Sequence, residues 1–92
     1  MKNDERIRMK LLKFYSKTCG PCRLLSKIIE SLKVEDLEVV SIDIAENNSA
    51  VEEYSIRSVP TLVFLDNEGK EFHRETKPIP KEKLEQIISQ KG

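Results

Sequence analysis

Between Tyr15 and Arg23 the hydrophobic pattern of this chain changes from that of a strand to that of a helix, and the change falls on Ser16-Lys17-Thr18-Cys19-Gly20-Pro21-Cys22. No other feature restricts the fold as much. Upstream, the segment from Ile7 or Met9 to Tyr15 is dense in apolar and aromatic side chains, as a buried strand requires. Downstream, Pro21 suits the first turn of a helix, where its missing N–H has no partner to lose. Leu24, Leu25, Ile28, Ile29 and Leu32 then recur at helical spacing, with Arg23, Lys27, Glu30 and Lys33 on the other side. A β-branched apolar run at 37–44 shows so little polar alternation that it reads as a strand covered on both faces. Strand, helix and strand in this order predict a parallel pair joined by a right-handed crossover.

Further along, Ser49-x-x-Glu52 has the form of a capping box opening a short helix to about Tyr54. Residues 61–65 read as another buried strand. Asp66-Asn67-Glu68-Gly69 is a turn signal, and 70–76 is a charged strand suited to a sheet edge. Pro80 opens a final helix with Leu84, Ile87 and Ile88 inward. The predicted order is β-α-β-α-β-β-α: an α/β sandwich of about four strands in a mixed sheet, the last two a hairpin, with helices on both faces. Residues 1–8 are polar and read as a mobile lead-in to one domain at 9–92, and Met9 is a possible alternative start.

The 92 residues allow one small core. Sixteen Lys and Arg balance sixteen Asp and Glu, which argues against nucleic acid or an acidic membrane surface as the partner. No run approaches the roughly 20 apolar residues of a membrane span, and the charged first eight residues do not resemble a signal peptide. The expected setting is therefore the reducing cytoplasm. There, two cysteines spaced Cys-x-x-Cys point to catalysis or metal binding rather than a structural staple. A closed zinc site needs about four ligands, and two cysteines plus His73 fall short, so neither metal nor cofactor is expected. His73, in the charged edge strand, reads as solvated. Phe14, Tyr15 and Tyr54 read as core, and Glu52-Glu53 and Lys81-Glu82-Lys83 as solvated helix faces. Nothing exposed and apolar asks for more than a monomer.

The strand-to-helix position gives the two cysteines different chemistry. Cys19 lies at the helix N-terminus, where unpaired N–H groups and the macrodipole favour a thiolate. Thiols in such motifs fall from about 8.5 to about 7 or lower. Cys22 follows one turn later on the same face, within reach of a mixed disulfide on Cys19, its sulfur toward the sheet. Cys19 is thus the candidate nucleophile and Cys22 the candidate resolving thiol. Lys17 and Arg23 add exposed positive charge nearby, which contributes little.

Cys19-Gly20-Pro21-Cys22 is identical to the active-site tetrapeptide of thioredoxins, and Tyr54-Ser55-Ile56-Arg57-Ser58-Val59-Pro60-Thr61-Leu62 resembles the segment leading those proteins into their cis-proline. Asp43, Glu46 and Asn47 resemble the family's acidic run after the preceding strand. The resemblance covers roughly residues 10–90 and implies a thioredoxin-like fold of glutaredoxin size, without the N-terminal strand and helix of full-length thioredoxins. It implies a cis Val59–Pro60 bond facing the cysteines, with Gly20, Pro21, Val59 and Pro60 against substrate. It also implies a cycle in which protein disulfides are reduced and a donor, a reductase or glutathione, restores the dithiol. Gly20-Pro21 resembles the reductants of the family rather than its oxidants. Two other readings stay open: a glutathione-coupled, glutaredoxin-like activity, and a partner-docking module whose dithiol is a redox switch.

The chain departs from the family pattern at several positions. Thr18 stands where thioredoxins carry Trp, Lys13 where they bury an Asp, Ser41 where the partner lysine lies, Lys27 at the mid-helix proline and Lys77 at a glycine beside the active site. Lys77 narrows the approach for generic substrates. Lys13 has two readings. Its ammonium lies near Cys22 and makes the pair more oxidising, or its side chain snorkels out to solvent.

Overall fold

The computed structural model describes residues 9–32 and 37–90; the proposed lead-in at 1–8 lies outside them. Along the chain run β1 (Met9–Tyr15), α1 (Gly20–Glu30), β2 (Leu37–Asp43), α2 (Asn48–Glu53), β3 (Thr61–Leu65), β4 (Glu71–Glu75) and α3 (Lys81–Ser89). The element order and the α/β class are those expected. The sheet order is β2-β1-β3-β4, with β1 parallel to β2 and antiparallel to β3, and β3 antiparallel to β4.

Because successive strand residues face opposite ways, β1 and β3 each feed two cores. Leu11, Leu62 and Phe64 join Leu25 and Ile29 of α1 and Leu84, Ile87 and Ile88 of α3 on one face. Leu12, Phe14, Val63 and Leu65 form the other, under Ala50, Tyr54 and Ile56. All five residues of β3 are buried, which explains its unbroken apolar run. The turn before β4 is held by Asp66, whose Oδ1 accepts from the N–H groups of Glu68 and Lys70. Gly69 there has φ 83°, a conformation that favours glycine.

Four expectations are corrected. β2 is not covered on both faces: it is an outer strand, and Glu38, Val39 and Ser41 are exposed. Its apolar run lacked polar alternation, but coverage depends on neighbours that the run itself does not encode. Leu24 is 59% exposed, because the inward stripe of α1 runs through Cys22, Leu25 and Ile29 and Leu24 lies about a hundred degrees off Leu25. The capping box does not form. α2 begins at Asn48, so Ser49 is already helical, and Asn47 at the cap instead donates its side-chain amide to the Asp43 carbonyl (2.9 Å). His73 is not simply solvated: it is half-buried, edge-on to Phe64, with Nε2 2.7 Å from Glu75 Oε2.

Candidate active site

The topology brings several chain segments to one end of the sheet. β1 and β2 are parallel and both finish there, at Tyr15 and Asp43, while β3 starts there, with Thr61 opposite Phe14. β4 ends there too, with Glu75 opposite Leu62, so Lys77 follows on the same side. The loop into α1, the segment before Thr61 and the segment after β4 therefore share one edge of the molecule.

Cys19 is the N-cap of α1. A turn closed by its N–H to the Ser16 carbonyl (3.2 Å) sets its direction, and its Sγ accepts from the backbone N–H of Cys22 at 3.2 Å. The sulfur thus occupies the place of a capping oxygen, where orphan N–H groups favour negative charge. Pro21 lies in the first turn. Cys19 and Cys22 are joined as a disulfide, with Cα atoms 5.3 Å apart. Their surroundings differ: Cys22 is 3% exposed and belongs to the inward stripe, whereas Cys19 is half-buried beside the exposed Gly20 and Pro21.

The Val59–Pro60 bond is cis, with Pro60 buried and Val59 half-buried. Thr61 is buried and donates its hydroxyl to the Ser58 carbonyl (2.7 Å), bracing this corner. Thr18 is exposed, its hydroxyl 3.4 Å from that of Ser16. Lys77 is exposed and lies after β4. Lys17 turns toward the end of β2, 3.6 Å from Glu46 and 3.9 Å from the buried Asp43, whose other oxygen accepts from the Ala45 N–H.

Beside Cys22 opens a groove of about 460 Å³, walled by Tyr15, Lys17, Arg23, Ser26, Lys27 and Glu30 among others. Tyr15, expected in the core, is half-buried and lines this groove. Lys13 does not snorkel outward. It is half-buried, its Nζ donates to Ser26 Oγ, and it lies 5.5 Å from the Tyr15 ring centroid. Burial pushes Lys13 below the ordinary lysine value, and the nearby Glu30 carboxylate opposes this. Sequence reasoning passed over Ser26, although its position four residues after Cys22 marks it as sharing that helix face. Among the described residues, no group of three or more His, Cys, Asp or Glu is placed to hold a metal ion. No helix among them is long and apolar enough to cross a membrane.

The chain and its fold have counterparts among known proteins. The thioredoxin family model matches residues 2–90. The chain belongs to the thioredoxin family. It is 35% identical to the thioredoxin of Chlamydia trachomatis over 81 residues, covering 86% of this chain and 78% of that one. It is 32% identical to that of Bacillus subtilis over 82 residues, covering 86% and 78%. Among solved structures, a mutant thioredoxin from Halobacterium salinarum superposes with a TM-score of 0.84 at 31% identity, over 90% of this chain and 74% of that one. The Fasciola hepatica thioredoxin also superposes at 0.84, with 28% identity over 97% and 86%. Family membership and the Cys19–Cys22 pair make the protein a thiol–disulfide oxidoreductase, a reductase of protein disulfides.

Proposed function

We propose that Cys19 is the attacking thiol and Cys22 the resolving thiol of a cytoplasmic, monomeric reductant whose catalytic domain spans 9–92. The observation that carries this reading is the unequal burial of the two sulfurs, with Cys19 half-exposed at the helix cap and Cys22 3% exposed beneath it. In the reduced protein the Cys19 thiolate attacks a substrate disulfide. One substrate sulfur leaves as a thiolate, and the other is held in a mixed disulfide. The Cys22 thiolate then attacks Cys19 Sγ and releases the second substrate sulfur as a thiolate, so two electrons pass to the substrate and Cys19–Cys22 closes. A reductase dithiol or glutathione returns the two electrons.

The free N–H groups of the first turn stabilise the Cys19 thiolate each time it forms. Gly20, Pro21, Val59 and Pro60 form the surface against which an extended substrate segment lies, with the Val59 backbone as its hydrogen-bonding partner. Thr18 and Lys77 border that surface and select among substrates.

Reduction of insulin disulfides in the presence of a chemical dithiol tests the assignment. Wild type turns over, and Cys19→Ser loses turnover entirely. Cys22→Ser is expected to stall as a trappable mixed disulfide on Cys19. A mixed disulfide accumulating on Cys22 in the Cys19→Ser variant at the wild-type rate would reverse the roles.

A further inference from the structure

Next to Ser26, on the groove wall beside the buried sulfur, lies a charge that the cycle above does not use. Lys13 belongs to the same face of β1 as Met9 and Leu11, beneath α1. Its Nζ donates to Ser26 Oγ, and Ser26 stands one helical turn beyond Cys22, on the same groove wall as Cys22. We propose that Lys13 is a positioning residue for the resolving step, an ammonium held by Ser26 and the Tyr15 ring that favours the thiolate form of Cys22. The proposal rests on the assignment of Cys22 as resolving thiol.

The surroundings of Lys13 fit this role. From α1 it meets the Ser26 hydroxyl and the Glu30 carboxylate, with Arg23 and Lys27 farther out on the groove wall. From β1 it meets the Tyr15 ring, and its register neighbours are Ser41 on β2 and Leu62 on β3. Leu84, Ile87 and Ile88 of α3 pack on that side of the sheet. Burial lowers the Lys13 pKa, and the Glu30 carboxylate opposes that lowering. Among the described residues, Glu30 is the carboxylate that acts on Lys13.

In chemical terms, Cys22 must shed its proton before it attacks Cys19 Sγ, and it takes the bonding pair as a thiolate when a donor opens the disulfide. Both events place negative charge on Cys22 Sγ in a water-poor setting, where a neighbouring cation favours the charged form.

The test isolates the thiol from turnover. In a Cys19→Ser chain, Cys22 is titrated by its thiolate absorbance and by alkylation rate against pH, with Lys13, with Lys13→Met and with Lys13→Arg. Lys13→Met is expected to raise the Cys22 pKa by about one unit, a tenfold loss of thiolate at a given pH, and Lys13→Arg to restore it. An unchanged titration in a Lys13→Met chain that melts at the wild-type temperature overturns the proposal. A shift that Lys13→Arg fails to restore also overturns it, because packing rather than charge would then be responsible. Insulin turnover by the unsubstituted chain reads the cysteine assignment separately.

Discussion

The two faces of the sheet are built unequally. On the face carrying Cys22, α1 and α3 lay apolar stripes across Leu11, Leu62 and Phe64, and Leu25 and Leu84 are sealed completely. On the other face, Leu12, Phe14, Val63 and Leu65 lie under α2, six residues long and with none of its own residues buried, helped by Tyr54 against the Phe14 ring at 5.9 Å. Stability is therefore concentrated on the face that holds the dithiol. The reacting end of α1 is anchored by its own Leu25 and Ile29, while the groove lined by Cys22 and Ser26 sits at the margin of that core. A helix held by a close-packed core keeps a reacting sulfur in place while its charge changes.

The largest expected effect comes from emptying the face with the larger core. Phe64→Ala, at a residue 1% exposed, should lower the unfolding free energy by about 3–5 kcal/mol in urea melts. Ile56→Ala, which trims the half-buried cover on the opposite face, should cost about 1–2 kcal/mol in the same melts. Equal losses would show the faces to be energetically alike and break the comparison.

Amide hydrogen exchange reads the same contrast without substitution. Backbone N–H groups of α2 should exchange at least about tenfold faster than those of β3 and the centre of α1, because few buried contacts resist local opening of α2. Matched protection would mean that α2 opens only with the whole fold.

The smallest effect concerns how α3 is tied to the sheet edge. Glu75 on β4 accepts from His73 and lies 3.5 Å from Lys83 of α3; the His73 hydrogen bond and the Lys83 charge hold its carboxyl below the usual carboxylate range. A depressed folded-state pKa contributes stability that is present above the unfolded value near 4.3 and is lost as pH falls through the lower folded value. Glu75→Gln should therefore cost about 1 kcal/mol or less at neutral pH and flatten the acid side of the stability profile. An unchanged acid limb would show that other carboxylates carry it.

Much of this architecture was legible in residue order. The helix start at Cys19-Gly20-Pro21, the inward Leu84, Ile87 and Ile88, the turn at Asp66-Asn67-Glu68-Gly69 and the charged β4 are short-range patterns, and short-range physics produces them. The legible part of the site was likewise local: two cysteines one turn apart at a helix cap. What residue order did not disclose lay across space. Lys13 suited solvent by residue order alone, and only Ser26, thirteen residues away, supplies the hydrogen-bond acceptor that draws it inward. Leu24 looked like core because helical spacing marks a face without saying how wide a stripe the neighbouring elements cover.

The identity of the elements, their order and the dithiol at a helix cap thus follow from the chain's own period, caps and turn residues, which act over a few residues. The outer position of β2, the half-burial of His73 against Phe64 and the inward course of Lys13 follow from partners on other elements of the fold. Burial and hydrogen-bond satisfaction are properties of pairs, and which pairs meet is set only when the strands align and the helices settle on them.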